Sequence, residues 1–135
     1  MRLTLAVALG GALGSWARWS LGGWVQRRAS AASGAVALFP AGTLAINLLG
    51  CFAIGLVATF AEERGSLDPA WRIFLLVGVL GGFTTFSTFG YETVALVRAG
   101  NLTLAALNVG CSVAGGLAGV WLGMATARWL GGGAA

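Results

Sequence analysis

Four stretches of this chain carry no charged side chain at all: residues 3–17, 29–61, 73–91 and 99–127. A soluble domain is about a quarter charged, because its surface faces water. Here the charged fraction is 9%, the hydrophobic fraction 58% and the mean hydropathy +0.87. Crossing about 30 Å of hydrocarbon takes roughly 20 apolar residues in a helix. The pattern therefore predicts an all-α integral membrane protein, a single four-span domain over residues 1–135. The spans are expected near 3–25, 39–61, 71–98 and 101–129.

The N-terminus, "MRLTLAVALGGALGSWA", also has the outline of a signal peptide. The apolar stretch runs on past Arg18 through "WSLGGWV", which is too long and too aromatic for a cleaved segment. Trp16, Trp19 and Trp24 read instead as an interfacial belt, followed by Arg27 and Arg28.

Composition excludes several chemistries. The chain has no histidine and no lysine. His-based zinc sites, Ser-His-Asp triads and P-loops are therefore absent, and no enzyme or organic cofactor is expected. The net charge of +4 comes from arginines scattered at span ends rather than gathered on one face. This argues for membrane anchoring and against nucleic acid. Cys51 and Cys111 fall inside spans and read as small packing residues.

Four spans place both termini on one side of a membrane. Arg2, Arg64, Arg72 and Arg128 lie on that side; Arg27, Arg28, Arg98 and, at the edge, Arg18 lie on the other. Orientation normally follows an excess of Lys and Arg on cytoplasmic loops. Without an excess, one reading is insertion in both orientations and pairing of two opposed copies about an axis in the membrane plane. The other is a weak bias set by loop details. Small-residue stripes (Cys111, Gly115, Gly119 and Gly123; Gly10 and Gly14) mark helix-packing faces without saying which helices meet.

Polar residues at depth are the next signal. An unpaired polar group in hydrocarbon costs several kcal/mol. Asn47 and Asn108 each have two readings, an interhelical bond or the lining of a wet pathway. Arg18 either snorkels to the interface or draws anions into a vestibule. Glu92, the lone acid inside a span, balances a charge or bonds a hydroxyl. Most unusual is "GGFTTFSTFG", residues 81–90. Two glycines and β-branched threonines weaken a helix there, and a break over Gly81–Thr85 is expected. Backbone carbonyls freed by a break are hard donors suited to a small cation such as Na⁺. Hydroxyls donate to anions, and a phenylalanine ring edge is electropositive without carrying a trapping charge. Phe86 and Phe89, three apart, share a face. A tight helix crossing explains the same run equally simply.

"GTLAINLLGCFAIG", "GVLGGFTTFSTFGYET" and "GGALGSWARW" together resemble the CrcB/Fluc family of fluoride channels, over three of the four spans. The resemblance implies an antiparallel, dual-topology homodimer in the bacterial inner membrane, passive fluoride export through two pores, and a structural Na⁺ at the dimer centre. By motif it assigns Asn47, Phe86 and Phe89 to the pore, with Thr85, Thr88, Thr43 and Ser112 on the polar pathway. Arg18 and Glu92 match vestibule or charge-balancing positions. Gly81 and Thr84 match positions whose carbonyls hold the sodium. Members often carry Tyr on the fourth-span polar track where this chain has Asn108. Two other classes remain: a small multidrug antiporter, which needs a buried carboxylate typically on span 1, where this chain has only Arg18, and a membrane assembly protein that transports nothing.

Overall fold

In the computed structural model, which describes residues 1–63 and 68–132, every element is helical. Arg64 and Gly65 lie outside the described residues. Helix α1 spans Arg2–Ser30, and a turn at Gly34 (φ +69°) leads into the short α2, Ala35–Leu38. Pro40 precedes α3, Ala41–Glu63. The next helix starts on a defined signal. The Asp68 side chain accepts from Ala70 N–H at 2.8 Å with Pro69 at the first helical position, which opens α4, Pro69–Ile73. The backbone then widens into a π-helix over Phe74–Val79 and tightens again into α5, Leu80–Phe83. After two extended residues, Thr84 and Thr85, α6 runs over Phe86–Arg98. Gly100 (φ +77°) turns the chain into α7, Leu102–Leu130.

Three of these stretches, Ala41–Glu63, Pro69–Arg98 and Leu102–Leu130, are long and apolar enough to cross a membrane. The protein is a multi-pass membrane protein. Helix α1 is as long, but its second half carries Arg18, Gln26, Arg27 and Arg28.

The helices meet through backbone rather than through large side chains. Helix α1 packs along the π-helical turn and α5, α3 packs along α7, and α6 leans on α7. At Gly14 an added Cβ would fall on the Val79 carbonyl oxygen, and at Gly10 on that of Phe74. At Gly123 it would fall on the Phe52 carbonyl oxygen. Such close approach is how helices gain dispersion contact in lipid, where no hydrophobic force draws them together. The fourth-span stripe thus packs within the chain against α3 through Gly115, Gly119 and Gly123, while Cys111 is exposed and outside that contact. The buried apolar residues are correspondingly small or few: Ile46, Ala61, Leu96, Ala105 and Ala127. Trp16, Leu117, Trp121 and Trp129 are among the many large apolar side chains left exposed.

The interruption is narrower than the expected Gly81–Thr85. Gly81 and Gly82 remain helical in α5, and only Thr84 (ψ 158°) and Thr85 (φ −151°, ψ 113°) are extended. Gly82 is held against the Gly11 backbone, which supports the helix where propensity alone would weaken it. The two threonines are β-branched and suited to extended backbone, and Asn47 on α3 takes up the freed groups at Thr85.

Candidate functional site

Thr85 is the junction of the site. Its N–H donates to Asn47 Oδ1 at 2.9 Å, and its carbonyl accepts from Asn47 Nδ2 at 3.1 Å. The Asn47 amide thus stands in for a neighbouring strand, satisfying both backbone groups of a residue that left its helix. The arrangement fixes the amide's orientation, because the peptide N–H only donates and the carbonyl only accepts. Nδ2 carries two hydrogens, and one is used.

Thr85 also caps α6. Its Oγ1 accepts from Thr88 N–H at 3.3 Å and donates to Thr88 Oγ1 at 2.9 Å, with Ser87 Oγ 3.4 Å away. An N-cap hydroxyl is favoured because it satisfies an N–H with no partner in its own helix. The bond to Thr88 uses the hydrogen of Thr85 and leaves that of Thr88 available. At the other end of the break, Thr84 Oγ1 bonds back to the Leu80 carbonyl at 3.0 Å.

Two cavities meet at this residue. The first, about 360 Å³, is lined by Asn47, Thr84, Thr85, Phe86, Phe89 and Ser112, with Gly81 and Cys51 also on its wall. The Phe86 and Phe89 ring centroids are 5.4 Å apart and tilted by 45°. Phe86 is 84% exposed, so its ring stands out from the chain into open space. The second cavity, about 410 Å³, holds Arg18, Thr43, Thr85, Thr88 and Glu92. Thr43 Oγ1 donates to Glu92 Oε1 at 2.8 Å, the second of the two readings open for that acid. Arg18 takes part in neither of the two ion pairs among the described residues, Arg72–Glu62 and Arg128–Glu63. The eleven residues that the sequence analysis assigns to the pathway, its vestibule or the sodium site all line one or the other of two cavities that share Thr85.

Three contributors carry no clear sequence signal. Gln26 reaches from α1 to the start of α3, accepting from Gly42 N–H at 3.0 Å and donating to the Phe39 carbonyl at 3.2 Å. It lines the second cavity beside Arg27. Cys51 lines the first. Thr93 on α6 accepts from Asn108 Nδ2 at 2.9 Å. Asn108 is thus an interhelical residue, 1% exposed and on the wall of neither cavity. Gln26 stands next to Arg27 and Arg28 and reads as part of a polar span end; a threonine in a helix announces nothing.

Charge and donor placement define what such a path suits. Hydroxyls, an amide N–H and two phenylalanine rings line the first cavity, with no ionisable acid or base on its wall apart from a thiol. The second adds two guanidinium groups and one carboxylate. Such a combination of groups suits a small anion, to which it offers hydrogen bonds without a fixed opposite charge.

Comparison with known proteins agrees with this reading. Residues 5–124 match the family described as CrcB-like protein, Camphor Resistance (CrcB). The "Fluoride-specific ion channel FluC 2" of Symbiobacterium thermophilum is 49% identical over 124 residues, covering 91% of this chain and 96% of that protein. The "Fluoride-specific ion channel FluC" of Acidobacterium capsulatum is 47% identical over 89% of this chain and 91% of its own length. That of Chloroflexus aurantiacus is 45% identical over 98% of this chain and all of its own. With the match running through α1, the break at Thr84–Thr85 and most of α7, the chain belongs to the CrcB family.

Proposed function

We propose that this protein is a fluoride channel of the bacterial inner membrane that lets fluoride leave the cytoplasm down its gradient. The observation that carries the proposal is the Thr85 junction, where hydroxyls, the Asn47 amide and two phenylalanine rings border adjoining cavities. The names of relatives 45–49% identical to this chain support the choice of ion. Fluoride is small and a strong hydrogen-bond acceptor, so it exchanges its water for hydroxyl and amide donors at these distances. Larger halides accept weaker hydrogen bonds and gain less from the same donors.

In the proposed path Arg18 collects anions at the second cavity and Thr43 with Glu92 borders its floor. Thr88, whose hydroxyl hydrogen its bond from Thr85 leaves free, hands the ion onward past Thr85, and Asn47, Ser112 and the edges of Phe86 and Phe89 carry it through the first cavity. Helix α1 is the fourth span, and its arginines lie at or near the interface. The functional unit is an antiparallel homodimer with two pores, in which the exposed Phe86 and the open side of the first cavity face the second copy.

A structural Na⁺ at the dimer centre fits the donors present. The Thr85 N–H that would close a helical turn on the Gly81 carbonyl is taken by Asn47. Among the described residues nothing crowds Gly81. The Gly81 and Thr84 carbonyls of the two copies would hold the ion, which supplies charge to join them. The described residues hold no cluster of His, Cys, Asp or Glu for a transition metal, and Na⁺ on carbonyl oxygens needs none.

Purified protein in liposomes loaded with either salt tests the proposal. Fluoride is expected to leave and chloride to stay. Equal loss of both anions, or retention of both, overturns it.

A further inference from the structure

Helix α6 carries both phenylalanines, yet apolar packing does little to orient it. Its only buried residue is Leu96, near the far end. What ties α6 to its neighbours is a set of polar anchors. Asn47 on α3 holds Thr85 just before it, and Thr43 on α3 holds Glu92. Asn108 on α7 holds Thr93. Two anchors pull toward α3 and one toward α7.

The third anchor is directional. Thr93 Oγ1 donates its single hydrogen to the Phe89 carbonyl at 2.7 Å. It is left only lone pairs for Asn108, which donates to it through Nδ2 at 2.9 Å. The relay therefore runs from α7 through Thr93 to the backbone of Phe89. Back-bonding of this kind bends a helix slightly at the accepting residue.

Asn108 is also a poor choice for stability alone. Its Oδ1 is buried without a partner, as is Ser112 Oγ one turn on. A buried acceptor left unmade destabilises, and an apolar side chain of similar size avoids that penalty. A residue that makes one oriented bond at such a cost is there for the orientation.

We infer that Asn108 is a positioning residue: through Thr93 it sets the rotation of α6 about its axis, and so the direction in which the Phe86 and Phe89 rings point into the first cavity. The inference rests on the channel reading for its consequence, but not for its geometry. It predicts opposite signs for stability and transport. Asn108→Leu should melt at the same temperature as wild type or higher, with dimer size unchanged. Its fluoride flux should fall by roughly tenfold or more, the scale on which misplacing a reactive group by about 1 Å acts at other sites. Thr93→Val should lower flux likewise but also lower the melting temperature, because it leaves the buried Asn108 amide without its acceptor; Thr93→Ser should conduct like wild type, and the Asn108→Leu/Thr93→Val pair should conduct no worse than the worse single variant.

A second readout does not depend on transport. With a fluorinated phenylalanine at position 89, the ¹⁹F resonance should shift or broaden in Asn108→Leu and Thr93→Val, and stay in place in Thr93→Ser. An unmoved resonance in the first two variants overturns the inference even if wild type carries no fluoride. So does a joint loss of melting temperature and flux that Thr93→Ser shares, since that marks packing. Absence of flux in wild type with a moved resonance sinks the channel proposal and leaves the positioning role standing.

Discussion

At Asn47 a single amide serves two masters, the Thr85 backbone and the cavity. Removing it leaves both Thr85 groups unpaired, which costs about 1–3 kcal/mol for each buried group. Asn47→Ala is therefore expected to lower both melting temperature and fluoride flux. Asn47→Asp separates the two roles better. It still accepts from Thr85 N–H, but it turns a second oxygen toward the Thr85 carbonyl and adds a negative charge beside the path. Flux in liposomes should fall while chain and dimer survive gel filtration, and unchanged flux would remove Asn47 from the pathway. The phenylalanines allow a cleaner separation still. Phe86→Ile and Phe89→Ile keep bulk and apolarity, so packing alone loses about 1–2 kcal/mol at most. What they lose is the electropositive ring edge, and each should impair flux far beyond any change in stability. Phe83 lines neither cavity and faces the Gly50 region. Phe83→Ile should therefore conduct well, and wild-type flux in all three variants would make the rings mere packing.

At the scale of elements, glycine positions that look alike in the sequence have opposite roles. Gly14 seats α1 on the Val79 carbonyl, so Gly14→Ala must push two helices apart. A loss of about 1–3 kcal/mol is expected, the usual range for overpacking, read by thermal unfolding in detergent. At Gly81 an added Cβ would meet none of the described residues, and the glycine lies in helical backbone. Gly81→Ala should leave the chain folded, even favour α5 by up to about 1 kcal/mol. Loss of dimer on gel filtration, with monomer helicity intact, would locate the glycine's role between copies; an unaffected dimer would argue against any close approach there. The break itself was half legible. Gly-Gly followed by β-branched residues marked the neighbourhood, but the extended pair is Thr84–Thr85, because the partner that satisfies it sits 38 residues earlier in the sequence. The π-helical turn at Phe74–Val79 had no signal at all, being an ordinary apolar run whose geometry follows its fit against α1.

The whole molecule is a chain whose exposed apolar surface needs lipid or another copy. Under the dual-topology proposal its arginine balance is the lever. Two lysines inserted after Ala99 should bias insertion to one orientation and lower fluoride flux. Co-expression with a chain oppositely biased by lysines near Gly65 should restore it, and full activity of the single biased chain would rule the antiparallel pair out. By itself the sequence determined the solvent and the helical class. Charge-free stretches long enough for hydrocarbon admit only helices, since backbone groups in lipid must be satisfied within the segment. It also determined which residue types can handle an anion, because the chain has so few polar groups at depth. Tertiary structure alone decided how those groups divide. Asn47 pairs with Thr85 and borders the first cavity, whereas Asn108, the same side chain at similar depth, faces Thr93 and borders no cavity. Nothing local distinguishes the two asparagines; what separates them is which helix stands opposite each, a matter of packing between segments far apart in the chain.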